Sequence, residues 1–390
     1  MFGLLLAIIY ISFISLGLPD SLLGSAWPTM VTDLNTSISY AGLVSMIIAL
    51  GTIVSSLLSD KITRKLGTGL VTAISVLTTA ISLLGFSLSN SLLMICLLAI
   101  PYGLGAGAVD AALNNYVALH YASRHMSWLH CFWGLGATIS PYIMGYAISS
   151  DMGWQSGYGI VSIIQFVLTA CLFASLPLWK KKNTTNANDE NYEAPIGLRD
   201  ALKIKGVKQI LIAFLCFCAF ETTAGLWASS YLVEYRGVDV ETAATFGSLF
   251  YMGITLGRFA CGFFADKVGD KNLIRGGIVV MLFGIAMIIL PVKSDIFSLV
   301  GLVVAGVGSA PVYPSIIHST PTNFGKENSH AIVGIQMASA YTGSALMPTV
   351  FGLIADFINI SLYPFFLAFF VIMLLIMTEL VNKAVKKQSL

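Results

Sequence analysis

Three carboxyl groups stand deep inside apolar stretches of this sequence: Asp20, Asp110 and Glu221. If those stretches are helices in a bilayer, each ionisable group is costly, by about 2.5–3.5 kcal/mol or more, and is a functional candidate by default. Burial disfavours the charged form of a carboxyl. That suits a group which takes up a proton at one membrane face and releases it at the other, a role open to Asp20, Glu221 and Asp110. The competing reading is a permanently neutral acid hydrogen-bonded to a neighbouring helix. Pro19 adjoins Asp20 and frees helix backbone groups locally, so a broken, cavity-lining segment is expected there.

Asp110 and Asn114 are four residues apart, hence on one helical face, with Asn115 beside them. A carboxyl and amides facing a cavity supply both acceptors and donors for a hydroxyl-rich ligand. Interhelical hydrogen bonding is the alternative role. His130 could relay a proton near neutral pH or pack as a structural residue. Gln336 is polar and deep in an apolar run, which makes it a candidate ligand contact. Trp27, Trp227 and Tyr313 offer rings that stack on apolar ligand faces; as an alternative, tryptophans near helix ends anchor at the membrane interface. A second set, Asp60, Lys61, Arg64, Arg258 and Asp266, falls at run ends and could form a charge latch that gates one membrane face.

Other chemistries lack their motifs. There is no P-loop, dinucleotide fingerprint or H-E-x-x-H, and GLGAG at 103–107 lies within an apolar run that follows no strand. The six cysteines all lie in apolar runs, which argues against a disulfide framework. Cys216 and Cys218 form a C-x-C pair without nearby histidine, and read as buried small side chains rather than a metal site.

The elements that must position these residues follow from composition. Of 390 residues, 56% are hydrophobic and 10% charged, against roughly 25% charged in a soluble domain. A lipid bilayer can hide so much apolar surface; a soluble core cannot. The net charge of +2 and scattered basic residues give no reason to expect a nucleic-acid partner.

Cutting at polar and Gly/Pro-rich punctuation yields twelve runs of spanning length, near 3–30, 38–59, 68–89, 91–119, 127–149, 155–179, 207–233, 241–264, 273–291, 296–320, 329–356 and 360–382. The expected fold is all-α, with twelve transmembrane helices in two six-helix bundles. The expected divisions are a bundle at 1–179, a cytoplasmic linker at 180–205 and a bundle at 206–390. The N-terminal run lacks a basic leader and a cleavage site, and reads as a retained span. With both termini in the cytoplasm of an inner, plasma membrane, only Arg236 and Lys293 of the loop lysines and arginines fall outside, as the positive-inside rule requires.

The halves repeat. SDKITRKLG at 59–67 is echoed by ADKVGDKNLIRGG at 265–277. GLGATISPYIMG at 134–145 aligns with YTGSALMPTVFG at 341–352, pairing Gly136 with Gly343. LPDSLLGSAWP at 18–28 aligns loosely with FETTAGLWASSYL at 220–232, pairing Asp20 with Glu221 and Trp27 with Trp227. Three alignments at one offset, about 200–207 residues, point to duplication.

This six-plus-six repeat with D-K-x-x-R-K after the second run resembles the major facilitator superfamily. AGAVDAALNNY at 106–116, the H-x-x-x-G-L-G-A run from His130 and F-E-T at 220–222 are similar to its fucose permease family. The resemblance implies a secondary active transporter, not an enzyme. It implies proton-coupled uptake of a monosaccharide such as a hexose or deoxyhexose by alternating access. No bound cofactor is expected, the coupling ion being H+ or alternatively Na+; the carrier is expected to be monomeric. Rival readings are a proton-coupled exporter of hydrophobic compounds and a membrane sensor without flux.

Overall fold

A computed structural model of the chain describes residues 2–36, 40–183, 197–292 and 294–386. Half of the expected linker at 180–205, residues 184–196, lies outside the described residues, as does Lys293. The described elements are helical throughout. With no water in hydrocarbon, backbone groups must bond within their own segment, which a helix achieves. Ten helical spans are long and apolar enough to cross a membrane among the described residues. Two further long helices, Ser123–Ser149 and Val240–Cys261, occupy the remaining expected positions. These two carry more polar residues, including His130 and Arg258, which lowers their apolar character.

The chain separates into two compact units. The first comprises Met1–Tyr116 and Leu129–Ile196, the second Val117–Trp128 and Gly197–Leu390. In the first unit, α1 (Phe2–Asp20) and α2 (Leu22–Asp33) form one span interrupted at Ser21. They are followed by α3 (Tyr40–Leu66), α4 (Thr68–Ser87), α5 (Leu92–His120), α6 (Ser123–Ser149) and α7 (Gly153–Asn183), the end of α5 and the start of α6 belonging to the second unit. The second unit runs through α8 (Leu198–Ala201), α9 (Val207–Glu234), α10 (Val240–Cys261), α11 (Ala265–Val268) and α12 (Asp270–Ile289). Next come α13 (Ile296–Ser309), α14 (Val312–His318) and α15 (Thr320–Phe324), and the unit ends in α16 (Lys326–Phe357) and α17 (Tyr363–Lys386).

The sequence repeat reappears as repeated helix crossings. Gly136 of α6 packs so tightly on α1 that an added Cβ would strike the carbonyl oxygen of Ile14; Gly343 of α16 meets that of Leu215 in α9 in the same way. Ile14 precedes Asp20 by the same six residues that separate Leu215 from Glu221. A second pair matches as well: Gly103 lies against Ile48, and Gly306 against Phe250. Lipid supplies no hydrophobic drive between helices, so close backbone approach through small residues does much of the packing. These crossings therefore fix where the acids of α1 and α9 stand.

A side chain at either crossing must push two backbones apart. We expect Gly136→Ala and Gly343→Ala each to destabilise the protein by about 1–3 kcal/mol. Gly145→Ala, where an added Cβ meets nothing within 4 Å, should be close to neutral. Thermal unfolding in detergent checks this, and equal melting temperatures for all three variants would remove the crossings from the argument.

Candidate functional site

In the first unit the polar residues form two linked groups. Asp20 ends α1, well inside its span, yet its side chain is accessible. Trp133 of α6 donates its indole N–H to Asp20 Oδ2 at 2.8 Å, and the Tyr102 hydroxyl of α5 donates more weakly to Oδ1 at 3.5 Å. Both donors are neutral. Pro19 explains the local break: lacking an N–H, it leaves the carbonyl four residues earlier, that of Ser15, without its helical bond. Gln165 of α7 fills the gap, donating Nε2–H to Ser15 O at 2.6 Å while Ser15 Oγ donates to Gln165 Oε1 at 2.7 Å. The break is thus held by a buried bidentate pair, and a cavity of about 10 Å³ beside it is lined by Ser12, Ser15, Pro19, Tyr102 and Gln165.

The second group centres on Asn114. Asn114 Nδ2 donates to Asp110 Oδ1 at 2.7 Å and to its backbone carbonyl at 3.0 Å. The remaining amide oxygen of Asn114 accepts from His130 Nε2 at 3.0 Å, which places a proton on that nitrogen. The His130 ring meets Phe13 of α1 edge-on. Asp110, Asn114, Asn115 and His130 are all buried. The expected face-sharing of Asp110 and Asn114 is present, but here it ties the two residues to each other. Trp27 packs in the apolar core of this unit.

In the second unit the acid matching Asp20 has different partners. Glu221 accepts from Arg258 Nη2 at 3.1 Å, and Arg258 is only 3% exposed. The guanidinium carbon lies 6.0 Å from the centre of the Tyr313 ring, within range of a cation–π contact. Tyr313 in turn packs on Phe214 and Phe217. Gln336 is fully buried; its Oε1 accepts from the Thr320 hydroxyl at 3.0 Å, while its amide nitrogen is buried without a hydrogen-bond partner. Such an orphan donor is one a ligand hydroxyl could satisfy. Trp227 bonds the Pro348 carbonyl at 3.0 Å and meets Phe351 edge-on.

The expected gating charges separate into distinct pairs. Asp60 is bound by Arg64 at 2.8 Å along α3, where the exposed Lys61 also stands. Asp266 is bound by Arg124, through Nε at 3.3 Å and its backbone N–H at 3.1 Å. Nearby, Asp270 accepts from Ser123 at 2.5 Å and pairs with His318 Nδ1 at 2.6 Å. Arg258 pairs with Glu221, deep in α9. Sequence reasoning missed Tyr102, Gln165 and Thr320, whose bonds reach residues on other helices. Among the described residues, no group of three or more His, Cys, Asp or Glu side chains is placed to hold a metal.

Known proteins agree with this architecture. A solved structure of FucP in the outward conformation superposes with a TM-score of 0.77 at 15% identity, covering 96% of this chain and 98% of that one. A second structure describes FucP as the E. coli fucose:proton symporter. The Saccharomyces cerevisiae protein called bypass of stop codon protein 6 is 22% identical over 91% of this chain and 77% of its own length. The glucose/mannose transporter GlcP of Bacillus subtilis is 22% identical over 73% of this chain and 70% of its own. The family model of the Major Facilitator Superfamily matches residues 9–348 and 210–388. With its helical spans and its repeated crossings, this chain is a multi-pass membrane protein and belongs to the Major Facilitator Superfamily of transporters.

Proposed function

We propose that this carrier takes up a monosaccharide together with a proton, and that Asp20 is the group that exchanges the proton. The observation that carries the proposal is the difference between the two matched acids. Asp20 is accessible and held by neutral donors. Protonating it removes part of two hydrogen bonds and strands no charge. Glu221 faces the guanidinium of Arg258, so protonating it would remove an anion that a buried cation is bound to, which is strongly unfavourable. Glu221 is thereby a poor partner for reversible proton exchange. Asp110 serves behind Asp20, ordering Asn114 and His130.

The monosaccharide reading draws support from the sugar transporters among the similar proteins. It draws further support from the orphan amide of Gln336 and the ring of Tyr313 beside the ion pair. Alternating access would move substrate past these groups. Asp60, Lys61, Arg64 and Asp266 keep the proposed gating role, with Arg258 reassigned to the substrate-facing pair. Both termini would be cytoplasmic, in the plasma membrane, with the protein acting as a monomer.

Reconstituted protein should accumulate a labelled hexose under an inward proton gradient. Accumulation driven by a sodium gradient alone would replace the proton, and no hexose flux under either gradient would overturn the sugar reading. Asp20→Asn should mimic a permanently protonated carrier: counterflow exchange stays within a few-fold of wild type while concentrative uptake falls to the equilibrium level. Normal pH-dependent accumulation in that variant would remove Asp20 from the mechanism.

Glu221→Gln should behave differently. It leaves Arg258 buried without its anion, at a stability loss of about 3–5 kcal/mol. Adding Arg258→Gln should restore most of the lost melting temperature, because two neutral amides need no charge compensation. Glu221→Gln that melts like wild type while losing only accumulation would move proton exchange to Glu221.

A further inference from the structure

Residues 117–128, the end of α5 and the start of α6, belong to the second unit, although the rest of both helices belongs to the first. This short segment is held at several points. Trp128 donates its indole N–H to Phe259 O at 3.2 Å, in a notch that Gly262 leaves open by lacking a Cβ. Arg124 is bound to Asp266. Ser123 donates to Asp270 Oδ1 at 2.5 Å, and the Tyr121 carbonyl oxygen lies 3.1 Å from His318 Nε2. These last two contacts meet at one pair, for His318 Nδ1 is 2.6 Å from Asp270 Oδ2. Asp270 opens α12 and His318 ends α14, and helix ends lie where hydrocarbon gives way to headgroups. Both side chains are partly exposed, His318 at 19% and Asp270 at 16%. Water can therefore exchange protons with them.

The two ring contacts set the proton count. A backbone carbonyl only accepts hydrogen bonds, and so does an ionised carboxylate. A neutral imidazole has one N–H and can serve only one of them. Its other nitrogen would turn a lone pair toward an oxygen lone pair. Both contacts are made together only when the histidine–aspartate pair holds one further proton, between Nδ1 and Oδ2. Asp270 stands in the first turn of α12, where the helix dipole favours an anion, so that proton sits on the ring. Asp266 of α11 also acts on His318 through space, and Arg124 is the cation bound to that acid. His318 thus faces acceptors from three elements. The segment's own His125 packs against Tyr121 and Trp128 instead.

We propose that His318 and Asp270 form a pH-dependent latch, which holds residues 117–128 on the second unit while the pair carries its further proton. On the orientation and gating role proposed above, the latch faces the cytoplasm and delays opening at that face when the cytoplasm is acid. The docking itself involves neither substrate nor coupling ion, so its test stands apart from the sugar reading. Amide hydrogen exchange of residues 117–128 is to be followed in purified full-length protein and corrected for the intrinsic rate at each pH. It should speed up about ten-fold or more between pH 6 and pH 9, the loss expected for one charge-assisted hydrogen bond. His318→Gln keeps an amide N–H but does not titrate, and its corrected rate should be the same at both pH values. Where that variant does not fold, Asp270→Asn takes its place, since it removes the acid that keeps the ring doubly protonated. His125→Gln should keep the wild-type pH slope. In 15N-histidine-labelled wild type, the resonances that His318→Gln removes should show both ring nitrogens protonated at pH 6 and one bare at pH 9. A pH-independent rate in wild type overturns the proposal without any variant. So does an unchanged slope in His318→Gln or Asp270→Asn, or a bare His318 nitrogen at pH 6.

Discussion

A polar group in hydrocarbon must be held by another polar group, because no water is present to replace a missing partner. The arrangement around the first span follows from this. Pro19 removes one backbone donor, and the Ser15 carbonyl it leaves behind is met by Gln165 from α7. Without that bond the break beside Asp20 would leave a buried acceptor unsatisfied, at about 1–3 kcal/mol. With it, α1 can end at Asp20 and α2 begin at Leu22, and the carboxyl projects where Trp133 and Tyr102 can reach it. The proline, the glutamine and the acid act as one construction, although 146 positions separate the first two (165 − 19).

The repeat gives the two units matching helix crossings, while the side chains around the acids differ. Within each unit the crossing at Gly136 or Gly343 meets a residue six positions before the acid of α1 or α9. By the Gly136–Gly343 pairing, the position matching Trp133 is Ala340; by the Gly103–Gly306 pairing, the one matching Tyr102 is Ala305. Both neutral donors to Asp20 are therefore alanines in the second unit. Glu221 needed another partner, and α10 supplies a guanidinium. One ancestral carboxyl position thus has two electrostatic settings, one reversible and one locked.

Much of this was legible in the sequence, for identifiable reasons. Apolar runs of spanning length, the acids within them and the repeated glycines are local or periodic signals, and each led to the matching helix. What sequence could not give was the direction in which a side chain points across to another helix. Arg258 is the clearest case. Standing near the end of α10, it read as a run-end charge. A helical side chain leans toward its own N-terminus, which carries the guanidinium away from the helix end and back toward Glu221. Asn114 shows the complementary case: it shares a face with Asp110 as the spacing indicates, and its amide bonds Asp110 and His130. Tyr102 and Gln165 carried no local signal, since a lone polar residue in an apolar run gives no indication of its partner.

On the proposed reading, the asymmetry between the matched acids has a consequence for coupling. The Glu221–Arg258 pair sums to zero charge whether or not substrate is present, so it adds no charge-dependent barrier to reorientation of the second unit. Asp20 changes charge by one unit on losing its proton. A single uncompensated charge in a low-dielectric interior is far more costly than the same charge paired. The protonation state of Asp20 can therefore bias which conformations the carrier visits, and Glu221 cannot do so without first breaking its ion pair. Two exchangeable acids would let the carrier reorient half-loaded, with one proton bound and one lost. Locking one of them to arginine leaves one titrating site, and with it a single condition linking proton movement to substrate movement.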